Sequence, residues 1–135
     1  MINGPSAHLS WQELACKDGT PYPQEWRWDR ATVLGAAFEI VRAEYGHPIR
    51  IVSAYRTPEW NRKIKGAPLS QHMEGRALDM APTGGRHLKG LIAAVEQVVR
   101  QGRAPIRGVG LYPSFVHIDT RPTDRIYRWT GSRKA

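Results

Sequence analysis

Cysteine is all but missing: Cys16 is the only one in 135 residues. That excludes an internal disulfide framework and any zinc site built from several thiolates. No apolar stretch approaches the ~20 residues of a membrane-spanning helix, so membrane insertion by that route is excluded. Met1 to Ser10 lack both the basic start and the apolar stretch of a secretion signal, and synthesis in the cytoplasm is expected. Internal repeats and low-complexity segments are also missing. The Pro- and Gly-containing stretches are only loop-length, so one domain over residues 1–135 is expected. Acidic residues are the minority charge, 12 Asp+Glu against 20 Lys+Arg, for a formal net charge of +8. Such a surface favours an anionic partner, whether nucleic acid, acidic wall polymer or lipid headgroup, without choosing among them. The basic residues are scattered and no DNA-binding motif is visible, so nucleic acid is not the expected partner.

What is present is enough for a folded domain. Hydrophobic residues make up 41% and charged ones 24%, and a chain of this length buries a core without covalent staples. Ser10-Trp11-Gln12-Glu13 reads as a capping box opening a short helix to about Cys16. Asp29 to Tyr45 carries Val33, Leu34, Ala37, Phe38, Ile40 and Val41 at helical spacing, and Gly46 and Pro48 stop it. Ile49 to Ala54 reads as a strand. Thr57-Pro58 starts a short helix that ends before Gly66. Ala77 to Met80 is a further strand, and Leu88, Leu91, Ile92, Val95, Val98 and Val99 mark a second amphipathic helix ending at Gly102. Gly108–Tyr112, Phe115–Asp119 and Ile126–Trp129 follow as three short strands. Helices first and strands clustered late imply an α+β domain with an antiparallel sheet and flanking helices.

Of five histidines, His8, His47 and His87 have no chemically suggestive neighbours. His72 precedes Asp79 by seven residues, and His117 stands two residues before Asp119 on a late strand, which puts both side chains on one face. A catalytic zinc site needs three N/O ligands and one open position, and His72, Asp79 and His117 can supply them. The same spacing also fits a hydrogen-bonded loop histidine and a strand carboxylate facing solvent.

Ser70-x-His72-x-x-Gly75-x-Ala77-x-Asp79, followed by the strand with His117, resembles the zinc D-alanyl-D-alanine carboxypeptidase family. That family shares its fold with the hedgehog signalling domain and several phage endolysins. The resemblance continues through Val52-Ser53-Ala54-Tyr55-Arg56-Thr57-Pro58 with Asn61, through Gly108-Val109-Gly110-Leu111-Tyr112-Pro113, and to Arg128-Trp129. The opening His8-Leu9-Ser10-Trp11 with Glu13 is similar to small phage-borne members. It implies a hedgehog/DD-peptidase-like fold and Zn2+ held by His72, Asp79 and His117. Gly75 and Ala77 are then small residues that let the ligand loop pass close beneath the metal, or equally parts of an ordinary turn and strand. Arg56 sits where the family has an arginine near the reacting centre, able to hold a peptide's terminal carboxylate or a developing oxyanion. Ser70 and Tyr112 are candidate substrate contacts, although Ser70 equally caps its loop and Tyr112, like Trp129, equally packs in an aromatic core.

The implied substrate is a D-amino-acid-containing peptidoglycan stem peptide or cross-link, cut by a monomeric metallopeptidase of carboxypeptidase or endopeptidase type. The implied setting is cell wall degradation, reached after phage-type release or as a virion component. One position departs from the family. Better-known members carry an acid three residues before the second ligand histidine, and here Ser114 stands there. Asp119 is the first candidate for the general base, and equally a partner that orients an imidazole; Glu74 is the second candidate. The same departure supports an alternative, a zinc-stabilised but catalytically silent binding or structural module.

Overall fold

The computed structural model describes residues 3–133. Residues 1–2 and 134–135 of the domain expected over 1–135 lie outside the described residues. Helix α1 (Trp11–Leu14) opens on the capping box read from the sequence: Glu13 N–H donates to Ser10 Oγ and Ser10 N–H to the Glu13 carboxylate. It stops short of Cys16 because Ala15 is already extended and Cys16 N–H turns to the Thr20 carbonyl.

Helix α2 (Arg30–Tyr45) is capped by Asp29 and ended by Gly46 at φ +80°, whose N–H reaches the Arg42 carbonyl. Its buried stripe is Ala31, Leu34, Ala37, Phe38 and Val41. Val33, counted with that stripe from its spacing, lies at the edge and is 41% exposed. Strand β1 (Ile49–Ser53), helix α3 (Pro58–Lys63), strand β2 (Ala77–Pro82) and helix α4 (Leu88–Arg100) follow, then β3 (Gly108–Leu111), β4 (Val116–Asp119) and β5 (Tyr127–Thr130). No helix among the described residues is long and apolar enough to cross a membrane.

The five strands form one sheet in the order β1-β2-β4-β3-β5. Four of them pair antiparallel, as expected, but the last pair, β3 with β5, is parallel. After β4 the chain reverses and passes over β3 to the far edge, so β5 runs antiparallel to β4 and hence alongside β3. Alternation then divides the sheet into two faces. Leu78, Met80, Val109, Val116 and Ile118 join the buried core, where α2 packs with α4 and α4 lies against β2 and β4.

The opposite face carries two transverse rows. In one, Ser53, Asp79, His117, Gly110 and Trp129 stand side by side across all five strands. In the other, Ala77, Asp119, Gly108 and Tyr127 do so. A bulge at Val52 puts Ser53, rather than Val52, opposite Asp79.

The two glycines of β3 are vacancies that the large neighbours fill. A Cβ on Gly108 would lie 2.1 Å from Asp119 Oδ2, and one on Gly110 would lie 2.6 Å from the Trp129 indole. Gly108→Ala should therefore cost about 3 kcal/mol, because the buried carboxylate has nowhere to go. Urea unfolding of the variant checks this, and a loss under ~0.5 kcal/mol would show that the strand gives way.

Candidate metal centre

His72 sits on a 3-10 turn over Gln71–Glu74. Ser70 caps this turn by accepting the His72 N–H at 3.1 Å, and Gly75 ends it in a left-handed conformation, φ +68°. A Cβ at Gly75 would meet the Trp26 ring at 2.6 Å and the Tyr22 hydroxyl at 2.9 Å. Turn geometry and the aromatic cluster beneath it therefore require glycine here, which is the turn reading of the two that the sequence left open. The strand end at Arg56 anchors the turn through Arg56 N–H to the His72 carbonyl, 3.0 Å.

The ring of His72 is fixed by its Nδ1, which donates to the Ala54 carbonyl at 2.6 Å. Its Nε2 is buried and has no hydrogen-bond partner, although Asp79 Oδ1 is 3.1 Å away. His117 Nδ1 approaches the same oxygen at 3.0 Å. The three side chains thus turn one atom each into a common space, all within 4.8 Å of one another. An orphaned imidazole nitrogen beside a second nitrogen and a carboxylate oxygen is a donor set of the kind a divalent metal takes. The cluster can hold a metal ion.

Charge is balanced around it. Arg56 is buried and donates to Ser53 Oγ (3.2 Å), Asn61 Oδ1 (3.1 Å) and Asp79 Oδ2 (3.3 Å). Burial pulls the Arg56 pKa down, against the opposing pull of Asp79. Burial would raise the Asp79 carboxyl, but His72 and His117 hold it well below the usual range, so it stays ionised. His72 is pushed down by burial in spite of Asp79. His117 goes the other way: burial would lower it, but hydrogen bonds to Asp119 and Asp79 raise it.

Asp119 lies behind His117. Its side chain is fully buried and accepts from His117 Nε2 at 2.7 Å. Arg121 clamps both carboxylate oxygens, Nε to Oδ1 and Nη2 to Oδ2, each at 2.8 Å. Burial would raise this carboxyl, but the Arg121 and His117 hydrogen bonds hold it far below its ordinary value. Glu74 faces Arg30, 3.4 Å away.

The metal cluster opens into a cleft of ≈ 630 Å³ that Arg56, Ser70, His72, Tyr112, His117 and Trp129 help to line. Tyr112 stacks on Phe115 at 4.4 Å between centroids and accepts the Trp129 Nε1–H at 2.9 Å. Trp129 in turn leans on the His117 ring at 5.0 Å. Neither Asp119 nor Glu74 reaches the cleft, and among the described residues none of its lining is a carboxylate.

Sequence reasoning gave Arg121 no part, and assigned none to the spaces at Gly108 and Gly110. The glycine pair did carry a signal, since residues two apart on a strand leave one face bare. Arg121 carried none, being one of 20 basic residues. The hydrogen bonds give His72 the Nδ1–H tautomer and let His117 donate from both nitrogens, Nδ1 to Asp79 and Nε2 to Asp119. Imidazole 15N shifts of the metal-free protein at mildly acidic pH should show a neutral His72 beside a doubly protonated His117; the same protonation state on both rings would contradict the geometry.

A search of curated proteins finds none that matches this sequence. A model of the family described as Peptidase M15 matches residues 7–119. That span holds all three residues of the metal cluster as well as Arg56 and Asp119. It is a family of the zinc D-alanyl-D-alanine carboxypeptidase type, as the motifs of the sequence led one to expect, and this chain belongs to it.

Proposed function

We propose that this chain is a zinc-dependent peptidoglycan peptidase that hydrolyses a D-amino-acid-containing stem peptide or cross-link. The observation that carries this reading is the buried His72 Nε2, left without a partner beside Asp79 and His117 in a member of a peptidase family. Two neutral imidazoles and one carboxylate would leave a bound zinc ion with net positive charge. Bound there, zinc would supply the Lewis acidity that polarises a peptide carbonyl and acidifies water.

The chain's own residues do the rest. The Ala54 carbonyl and the Asp119–Arg121 pair fix the two imidazoles with their ligand nitrogens forward. Arg56, held by Ser53, Asn61 and Asp79, keeps a fixed positive charge at the cleft floor for a terminal carboxylate or a developing oxyanion. The Ser70 and Tyr112 oxygens already accept hydrogen bonds from His72 N–H and Trp129 Nε1–H, which leaves each hydroxyl proton to donate to substrate. Asp119 acts as a positioning residue for His117, because its burial and its Arg121 clamp leave it no route to a proton in the cleft. The net charge of +8 suits an anionic wall polymer, and a monomer made in the cytoplasm and released by phage-type lysis or carried in a virion fits the same reading.

A cleft lining without a carboxylate favours the second reading, a zinc-stabilised module that binds wall peptide without cutting it. Digestion of purified peptidoglycan separates the two. The zinc-loaded protein should release new stem-peptide fragments by mass spectrometry, and His72→Ala should release none. Bound zinc without products selects the silent module; products that persist after metal removal reject the metallopeptidase. Asp119→Asn should weaken zinc binding roughly 10- to 100-fold in a competition titration with a chromophoric chelator.

A further inference from the structure

The end of α3 breaks a rule of helix termination beside the metal cleft. Gly66 N–H bonds the Asn61 carbonyl at 2.8 Å and Lys65 N–H the Arg62 carbonyl at 3.1 Å. These are the paired bonds of a Schellman ending. Its left-handed residue is ordinarily glycine, since a Cβ there crowds the backbone. Here that residue is Lys65, at φ 60°, the one non-glycine with positive φ among the described residues.

The glycine comes one place later, for a different reason. A Cβ at Gly66 would lie 2.1 Å from Asn61 Oδ1 and 3.0 Å from Arg56 Nη1. Close packing on Arg56 explains Gly66, but nothing in the packing asks for lysine at 65. Its side chain is exposed and lines the cleft.

Lys65 has company. Arg133, another residue of the cleft lining, donates through Nη2 to the Ile64 carbonyl at 2.6 Å, so its guanidinium is parked one residue from Lys65. The other cations of the lining each pair with a carboxylate of the protein: Arg56 with Asp79, Arg121 with Asp119 and Arg128 with Glu96. Among the described residues, Lys65 and Arg133 meet no carboxylate. Two uncompensated positive charges therefore stand on one wall, next to the loop that packs on Arg56.

We infer that Lys65 and Arg133 form a subsite for a second substrate carboxylate, one separate from the group that meets the metal and Arg56. This rests on the peptidase reading and adds to it a requirement for a side-chain or branch carboxylate away from the scissile bond. The left-handed lysine is the cost of placing an ammonium there.

The test compares two peptides. One is a D-Ala-D-Ala-ended stem pentapeptide with free glutamate and diaminopimelate carboxyls; the other has every carboxyl but the terminal one amidated. Lys65→Gly should keep or raise Tm, because it relieves the backbone. It should also raise KM for the free-carboxyl peptide roughly tenfold, as expected for one charge-assisted contact, and leave the amidated peptide unchanged. Arg133→Ala in the same background should deepen the selective loss. Equal effects on both peptides, or a fall in Tm, would overturn the subsite. If the wild-type protein cleaves neither peptide, the carboxypeptidase form of the peptidase reading fails on its own. Calorimetric binding then decides the subsite: a wild-type preference for free carboxyls that Lys65→Gly abolishes supports it, and equal affinities overturn it.

Discussion

Asp79 and His117 stand directly opposite each other on neighbouring antiparallel strands, and everything chemical in the molecule follows from that register. A slip of one residue would bring Leu78 or Met80 to the cleft face and drive the charged pair into the core. The core prevents it, because Leu78 pairs with Ile118 and Met80 with Val116 on the helix-covered face. The same alternation that buries four apolar side chains therefore aims a carboxylate and an imidazole at one point. Only His72 has to be delivered from outside the sheet. Its turn is tied down by a backbone bond from Arg56 and a ring bond to Ala54, both just past the end of β1.

Buried charge is the cost of that arrangement. Arg56, Asp79, His117 and Asp119 are all almost wholly withdrawn from water, and unpaired ions in such surroundings would cost several kcal/mol each. They are instead linked in a chain: Arg56 to Asp79, Asp79 to His117, His117 to Asp119, and Asp119 to Arg121. Each member satisfies its neighbour, so removing one strands the next. The absence of side chains at Gly108 and Gly110 belongs to the same chain, since that space lets Asp119 lie flat and brings Trp129 against His117.

Much of this was legible in the sequence, for reasons that can be named. The capping box, the stops at Gly46 and Gly102, and the alternating strands are local signals, and they gave the elements nearly as they stand. The His72, Asp79 and His117 cluster was legible through motif spacing and the period of two that links His117 to Asp119. Long-range pairing was not: the parallel β3–β5 contact depends on a chain reversal that passes over a strand, and no local pattern encodes it. Nor was the orientation of Asp119, where two readings were open. Arg121, two residues on, settled its environment by a fork of hydrogen bonds that spacing alone does not reveal. The turn at Gly75 was legible, but its packing was not, because Trp26 and Tyr22 are distant from it in sequence.

The family match ends at Asp119, and the structure divides in a related way. The three residues of the cluster lie on the central strands β2 and β4 and on the 3-10 turn, and their hydrogen-bonded supports, Arg121 apart, lie on β4, at or just past the end of β1, or on α3. Beyond Asp119 come Trp129, which leans on His117, and Arg133, which reaches back to the end of α3. These sit on or after β5, an edge strand with a single neighbour. The two strands that carry the cluster are central and cannot change without disturbing it, whereas β5 and the end of α3 carry none of its three residues. The wall formed by Lys65, Trp129 and Arg133 is thus where a fixed metal chemistry can be matched to a particular substrate.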